Sequence, residues 1–270
     1  MSKIAETFAK LKNEGRKAFI PFVSAGDPDL ETSKQIVLEL AKNGADVIEL
    51  GIPFSDPMAD GPTIQASSMR ALANGVDLSQ VIRMVKDIRE ETNVPVILFS
   101  YLNPLLAYGF EKLADDARQA EIDGVLITDA IDEEAQKFGE ILQHQNIDLI
   151  SLIAPTSTDE RLQKIAEHAS GFIYAVARAG VTGTRDAMSA DARLLVERMR
   201  EFTTLPIAVG FGISTAEHVQ DVWSYADGAV VGSAIVKVIE NSISSDDAVK
   251  NVSGLVRSLL SPVANTSADI

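Results

Sequence analysis

The sequence contains no cysteine, three histidines and one tryptophan, and its 24 lysines and arginines are outnumbered by 39 aspartates and glutamates. Each shortage removes a class of function. Without cysteine there is no disulfide, no thiolate zinc site and no cysteine nucleophile. A formal net charge of −15 leaves no basic face to neutralise a phosphate backbone. That argues against a nucleic acid partner and, for the same reason, against an anionic membrane surface. A small anionic substrate stays open, because backbone amides bind phosphate locally without net positive charge. No apolar run reaches the roughly 20 residues that cross a bilayer. The N-terminal MSKIAETFAKLKNEG alternates charged and apolar residues at helical spacing, without the apolar stretch and small-residue cleavage site of a signal peptide. The expectation is a cytoplasmic protein.

Against these absences, hydrophobic residues make up 46% of 270 positions, enough for a sizeable core. Short apolar runs at 18–23, 46–51, 95–100, 124–128, 148–153, 171–176, 205–210 and 227–232 are too short for helices. They read as strands buried on both faces. Between them, 30–43, 78–91, 110–120, 133–145, 159–169, 190–202 and 215–224 carry helical periodicity. Strand–helix alternation with eight strands points to an α/β fold, a closed parallel (β/α)8 TIM barrel with an extra N-terminal helix. A doubly wound open sheet is the alternative. No composition break divides the chain, so residues 1–262 form one expected domain. The polar tail at 263–270 is expected to fray.

Two loops are longer than a strand–helix turn needs. Residues 52–63, with three prolines, follow strand two, and residues 177–189, rich in Gly, Thr and charge, follow strand six. Both leave C-terminal strand ends, where barrels build their sites, and the second is a candidate lid. Strand two reads Asp46-Val-Ile-Glu49-Leu-Gly51. If Ile48 and Leu50 face the helices, Val47 and Glu49 face the barrel axis. A carboxylate there is unfavourable unless paired or protonated. Burial would raise its pKa and suit it to acid/base work; an inward structural salt bridge is the other reading. On the following loop, Asp56 fits local capping better, whereas Asp60, before Gly61-Pro62, fits capping and catalysis equally.

Strand seven ends Gly210-Phe-Gly-Ile-Ser214 and strand eight ends Gly232-Ser-Ala234. Loops after these two strands frequently hold a phosphate at a short helix N-terminus. Glycines at both ends would let the backbone approach it, with Ser233 as a donor and Gly183 as a further amide. Tight turns are the competing explanation. His144, His168 and His218 lie on helical stretches and read as surface residues. No His/Asp/Glu cluster has metal-ligand spacing, so no metal is expected. Strand ends lack a Schiff-base lysine, and there is no GxSxG elbow or Walker motif. Carboxylates plus a phosphate cradle remain. If such a site cleaves a carbon–carbon bond, the substrate itself must supply the electron sink.

The run Glu49-Leu-Gly-Ile-Pro-Phe-Ser-Asp-Pro-Met-Ala-Asp-Gly-Pro-Thr-Ile-Gln65 resembles the signature of the tryptophan synthase alpha family. Pro21-Phe-Val, Gly26-Asp-Pro28, Tyr101-Leu-Asn-Pro104, Tyr108-Gly109, Arg178-Ala-Gly-Val-Thr-Gly183, Gly210-Phe-Gly-Ile-Ser214 and Gly232-Ser-Ala-Ile-Val-Lys237 follow in the family's order, over nearly all of residues 1–260. The resemblance implies a lyase that splits indole-3-glycerol phosphate into indole and glyceraldehyde 3-phosphate. It implies no cofactor on this chain, with pyridoxal phosphate confined to a beta-subunit partner in an alpha2-beta2 heterotetramer. Glu49 looks like the general acid/base, Asp60 like the carboxylate that binds the indole N–H, and Tyr174 like an active-site tyrosine. Gly183, Gly212, Gly232 and Ser233 match the phosphate site. Phe22, Tyr101, Leu126 and Phe211 match the indole pocket, and Thr182 matches a lid threonine that approaches Asp60. One departure is visible: Thr128-Asp-Ala-Ile-Asp-Glu-Glu134 carries Ile131 where many members have proline, in a loop the resemblance places near the beta subunit. A stand-alone lyase and a non-catalytic, phosphate-binding regulatory subunit are the competing readings.

Overall fold

A computed structural model describes residues 1–130, 132–176, 185–210, 212–242 and 244–262. The eight apolar runs are eight parallel strands that close on themselves in chain order, the last pairing with the first. The chain runs α1 (Lys3–Asn13), β1 (Ala18–Ser24), α2 (Leu30–Lys42), β2 (Ile48–Gly51), α3 (Pro62–Ala73), α4 (Leu78–Ile88) and β3 (Val96–Ser100). It continues through α5 (Leu102–Tyr108), α6 (Phe110–Gln119), β4 (Gly124–Ile127), α7 (Asp132–His144), β5 (Asp148–Ile153) and α8 (Asp159–His168). The rest is β6 (Ile173–Val176), α9 (Arg185–Arg200), β7 (Ile207–Gly210), α10 (Ala216–Trp223), β8 (Gly228–Val231), α11 (Ser233–Glu240) and α12 (Ser245–Leu259).

Strand alternation sorts the side chains into two cores. Outward residues such as Ile48, Leu50, Leu98 and Val125 pack under the helices. Inward residues Ala18, Ile20, Val47, Ile97, Leu126, Ile150, Ala208 and Val230 fill the barrel axis, so the interior is packed and not a pore. The base is plugged by α1. Its Ile4, Phe8 and Leu11 join the inner core, with the Phe8 and Phe172 ring centroids 5.5 Å apart. Aspartates at three strand entrances also tie the base together. Asp46 accepts from the Phe19 N–H at 2.9 Å, Asp123 from Val96 at 2.8 Å and Asp227 from Ile207 at 3.1 Å. With the base closed in this way, the mouth at the C-terminal strand ends is left for chemistry.

Two expectations change. The loop after β6 is shorter than 177–189, because α9 already begins at Arg185. The Ala and Met within Arg185-Asp-Ala-Met-Ser-Ala190 are good helix formers, outweighing the charged, loop-like look of that stretch. Residues 177–184 and the tail 263–270 lie outside the described residues. The helical stretches read from the sequence also omitted α5 and α12. Pro104 sits in the first turn of α5, where its missing N–H is not needed.

Candidate active site

Glu49 sits two residues before the end of β2, opposite Phe22 of β1 and Ile97 of β3. It is completely buried. Neither carboxyl oxygen has a hydrogen-bond partner, and no ion pair reaches it among the described residues. The structural salt bridge is therefore not what holds it. Desolvation alone pushes its pKa well above the usual carboxylate range. Tyr174 lies on β6, opposite Leu152 and Ala208. Its hydroxyl is held far above its ordinary value by burial first, then by the charges of Glu49 and Asp60. The tyrosine thus sits within electrostatic reach of both carboxyls.

The lining of the mouth is aromatic. Phe22 meets Phe99 edge-on at 5.3 Å, and Phe99 meets Tyr174 at 6.5 Å. Two glycines make room for these rings. A Cβ at Gly51 would fall 2.5 Å from Phe22, and one at Gly210 would overlap the Tyr174 hydroxyl. Phe99, half-buried and touching both aromatic partners, was missed in the sequence, as was the half-buried Leu152 beside Tyr174's strand. Their signal was inward parity, two residues beyond Ile97 and Ile150. Leu126 lies deeper, fully buried in the inner core.

Asp60 hangs over this mouth on the irregular loop between β2 and α3. The expected loop 52–63 ends two residues early, because Pro62 opens α3. Asp60 does not cap that helix: the N-cap is Gly61, with no side-chain cap bond. Instead the Tyr101 hydroxyl donates to Asp60 Oδ2 at 3.1 Å and accepts from the Ala59 N–H at 2.9 Å. The ring of Tyr101 leans on Phe54, 5.3 Å away. Burial raises the Asp60 pKa from 3.8 to about 6, against the lowering effect of the Tyr101 hydrogen bond. Asp56 is exposed, and its carboxylate accepts from Ser55 Oγ at 2.7 Å.

After β7, Gly212 has φ +57°, a left-handed conformation that glycine adopts without strain. Gly232 precedes α11 and makes no side-chain cap, and Ser233 is the helix's first, exposed residue. The first N–H groups of a helix have no intrahelical acceptor, and the dipole makes that end positive. Each feature suits an anion, the first by leaving backbone amides accessible and the second by its free N–H groups. Gly183, Thr182 and Phe211 fall outside the described residues. His144 and His168 are exposed and His218 half-buried, each on a helix. Among the described residues, no group of three His, Asp or Glu side chains is arranged to hold a metal ion, and no helix is long and apolar enough to cross a membrane.

Residues 8–261 match the family model described as tryptophan synthase alpha chain. The chain belongs to the tryptophan synthase alpha chain family. A tryptophan synthase alpha chain of Geotalea uraniireducens is 48% identical over 259 residues, covering 96% of this chain and 97% of the relative. One from Citrifermentans bemidjiense is 51% identical over 240 residues, covering 89% and 90%. Among solved structures, tryptophan synthase subunit alpha from Legionella pneumophila superposes with a TM-score of 0.88 at 36% identity, over 96% of this chain and 97% of that one. A tryptophan synthase complex from Pyrococcus furiosus gives 0.82 at 37% identity, over 90% and 97%. Membership makes this alpha chain a lyase of tryptophan biosynthesis on a TIM barrel.

Proposed function

We propose that this alpha chain cleaves indole-3-glycerol phosphate to indole and D-glyceraldehyde 3-phosphate by a retro-aldol reaction. The observation that carries the reading is a pair of carboxyl groups at one aromatic mouth in unlike environments. Glu49 is buried and unpartnered, and Asp60 is partly buried and bonded to Tyr101. Such a pair divides acid and base roles, because environment separates their pKa values.

In the proposed sequence, protonated Glu49 delivers its proton to the indole ring carbon that bears the side chain. The ring becomes an indoleninium, with positive charge spread to its nitrogen. Ionised Asp60 stabilises that charge as it develops, a preorganised electrostatic contribution. Glu49, now a carboxylate, removes the proton from the hydroxyl on the carbon attached to the ring. That carbon becomes the aldehyde, the carbon–carbon bond breaks, and its electron pair neutralises the ring. Glu49 ends protonated, as it began. The indole ring is the electron sink, so the residues named suffice without a lysine.

Phe22, Tyr101, Leu126, Phe211 and Tyr174 would enclose the ring. The amides of Gly183, Gly212 and Gly232 with Ser233 would hold the phosphate, and Thr182 would close over Asp60 as a lid. The catalytic unit is residues 1–262, cytoplasmic, paired with a beta subunit as alpha2-beta2, with pyridoxal phosphate on the beta partner alone. Partner binding would favour the closed lid and raise activity. A stand-alone lyase is the second reading, favoured by Ile131 in the loop after β4.

The test is indole release by the purified chain, alone and with a tryptophan synthase beta subunit, beside Glu49→Gln. Indole formation that rises with the beta subunit and collapses in Glu49→Gln is expected. Equal kcat with and without the beta subunit would leave the stand-alone lyase. A folded wild-type chain that releases no indole under either condition would leave a binding or regulatory subunit.

A further inference from the structure

The loop after β4 reaches Asp60 through two hydrogen bonds. Thr128, the first residue beyond β4, donates from both its N–H (2.9 Å) and its hydroxyl (3.2 Å) to the Ser100 carbonyl. This pins the next residue, Asp129, beside the start of α5. Asp129 Oδ1 accepts from the Leu102 N–H at 2.7 Å. Leu102 is the first residue of α5, whose N–H has no acceptor within the helix. The N-cap residue Tyr101 makes no side-chain cap bond of its own, so the cap comes from Asp129, 27 residues on.

Tyr101 is thereby held from several sides. Its backbone is extended, at φ −88° and ψ 163°, and its carbonyl accepts from Ser100 Oγ at 2.9 Å. Its hydroxyl spans the loop after β2, accepting from Ala59 and donating to Asp60. Moving the start of α5 by a fraction of an ångström would swing that hydroxyl off a 3.1 Å bond.

We propose that Asp129 is a positioning residue for the lyase reaction: by capping Leu102 it fixes the start of α5 and, through Tyr101, holds the Asp60 carboxylate over the barrel mouth. The inference rests on the reading of Asp60 given above. Asp129 touches no reacting atom, and it is exposed, so the relay opens at the surface. The titratable groups facing Asp60 are Tyr101 from α5 and Tyr174 from β6, with Glu49 acting on that same tyrosine. Of these, the Tyr101 hydrogen bond favours the ionised carboxylate. Losing it raises the pH at which Asp60 titrates, and a loosened α5 moves it the same way by less.

The experiment compares Asp129→Ala, Asp129→Asn, Tyr101→Phe and Asp129→Ala/Tyr101→Phe. One readout is the Asp60 carboxyl titration by carbon NMR in aspartate-labelled protein, assigned with Asp60→Asn. The other is the pH profile of kcat/KM for indole release. Expected is an upward shift of the Asp60 midpoint in Tyr101→Phe, a smaller one in Asp129→Ala and no further shift in the double variant. Asp129→Asn keeps an acceptor and returns the midpoint to wild type. Below pH 6, where Asp60 is mostly protonated, kcat/KM falls about three- to tenfold in Asp129→Ala, the scale of one lost hydrogen bond, and recovers at higher pH. An Asp60 midpoint unmoved in Asp129→Ala but moved in Tyr101→Phe overturns the proposal, and so do additive shifts in the double variant. Because the titration is read without substrate, the expected shifts in a protein that releases no indole would refute the lyase reading and leave the relay standing.

Discussion

In Glu49→Met a fully buried carboxyl with no hydrogen-bond partner gives way to an apolar side chain of similar length. Even when protonated, the wild-type group leaves polar atoms unsatisfied, a penalty of about 1–3 kcal/mol. Burying an apolar side chain in its place contributes about 1.5–3 kcal/mol. Discounting roughly 1 kcal/mol for imperfect packing, the variant gains about 2–5 kcal/mol in unfolding free energy. For a chain of this size that is about 5–15 °C in Tm. The gain depends on pH. Unfolded, Glu49 ionises near 4.5, whereas burial holds the folded-state pKa well above that. The folded state therefore binds the proton more tightly, and this contribution is fully present below pH 4.5. It is lost as pH rises toward the folded pKa, at about 1.4 kcal/mol per pH unit. Methionine has no such slope, so the margin of Glu49→Met over wild type widens with pH above 4.5. Urea unfolding at fixed temperature from pH 5 to 8, with m values compared, measures it, and an indole assay on the same samples reads a total loss of activity. A variant less stable than wild type, or a margin that does not change with pH, would show that Glu49 is paired in the folded protein and refute the reasoning.

Four further outcomes follow from the same geometry. Ionised Asp60 is needed to stabilise the ring cation and its pKa is raised to about 6, so kcat/KM should fall as pH drops through 6; a profile flat from pH 5 to 7 would contradict this. Gly210→Ala puts a Cβ into the Tyr174 hydroxyl and 3.0 Å from Val230 Cβ; the displaced ring should lower kcat/KM about tenfold or more, with far-UV circular dichroism unchanged. Arg70 donates to both oxygens of the buried Asp27, at 2.7 and 2.9 Å. Arg70→Ala strands that charge and should destabilise by about 2–4 kcal/mol in urea titrations, below the figure for a fully buried pair because Arg70 is 31% exposed. Ser233→Asp places a negative charge at the start of α11 and should raise KM about tenfold while changing kcat less; an unchanged KM would remove that helix from the phosphate site.

Local pattern carried much of this protein. The eight strands are visible because a parallel strand buried on both faces must be a short apolar run, and helices alternate with them because parallel strands need crossovers. Strict alternation also puts Val47 and Glu49 on the barrel axis, since side chains of a strand repeat every two residues. The Glu49–Gln65 run reached the family by itself. Other facts were not local. Whether Glu49 is paired depends on what the neighbouring strands carry at its level, and they present Phe22, Ile97 and aromatic rings, with no cation among the described residues. Asp60 before Gly61-Pro62 reads equally as a helix cap. A hydroxyl 41 residues away, on Tyr101, takes it out of that role. The Asp27–Arg70 pair and the Asp129 cap on Leu102 span 43 and 27 residues in the same way. Sequence periodicity records which face a residue occupies, because that is set by its own backbone. Barrel closure decides what it meets there, because the partner is brought by another strand or loop.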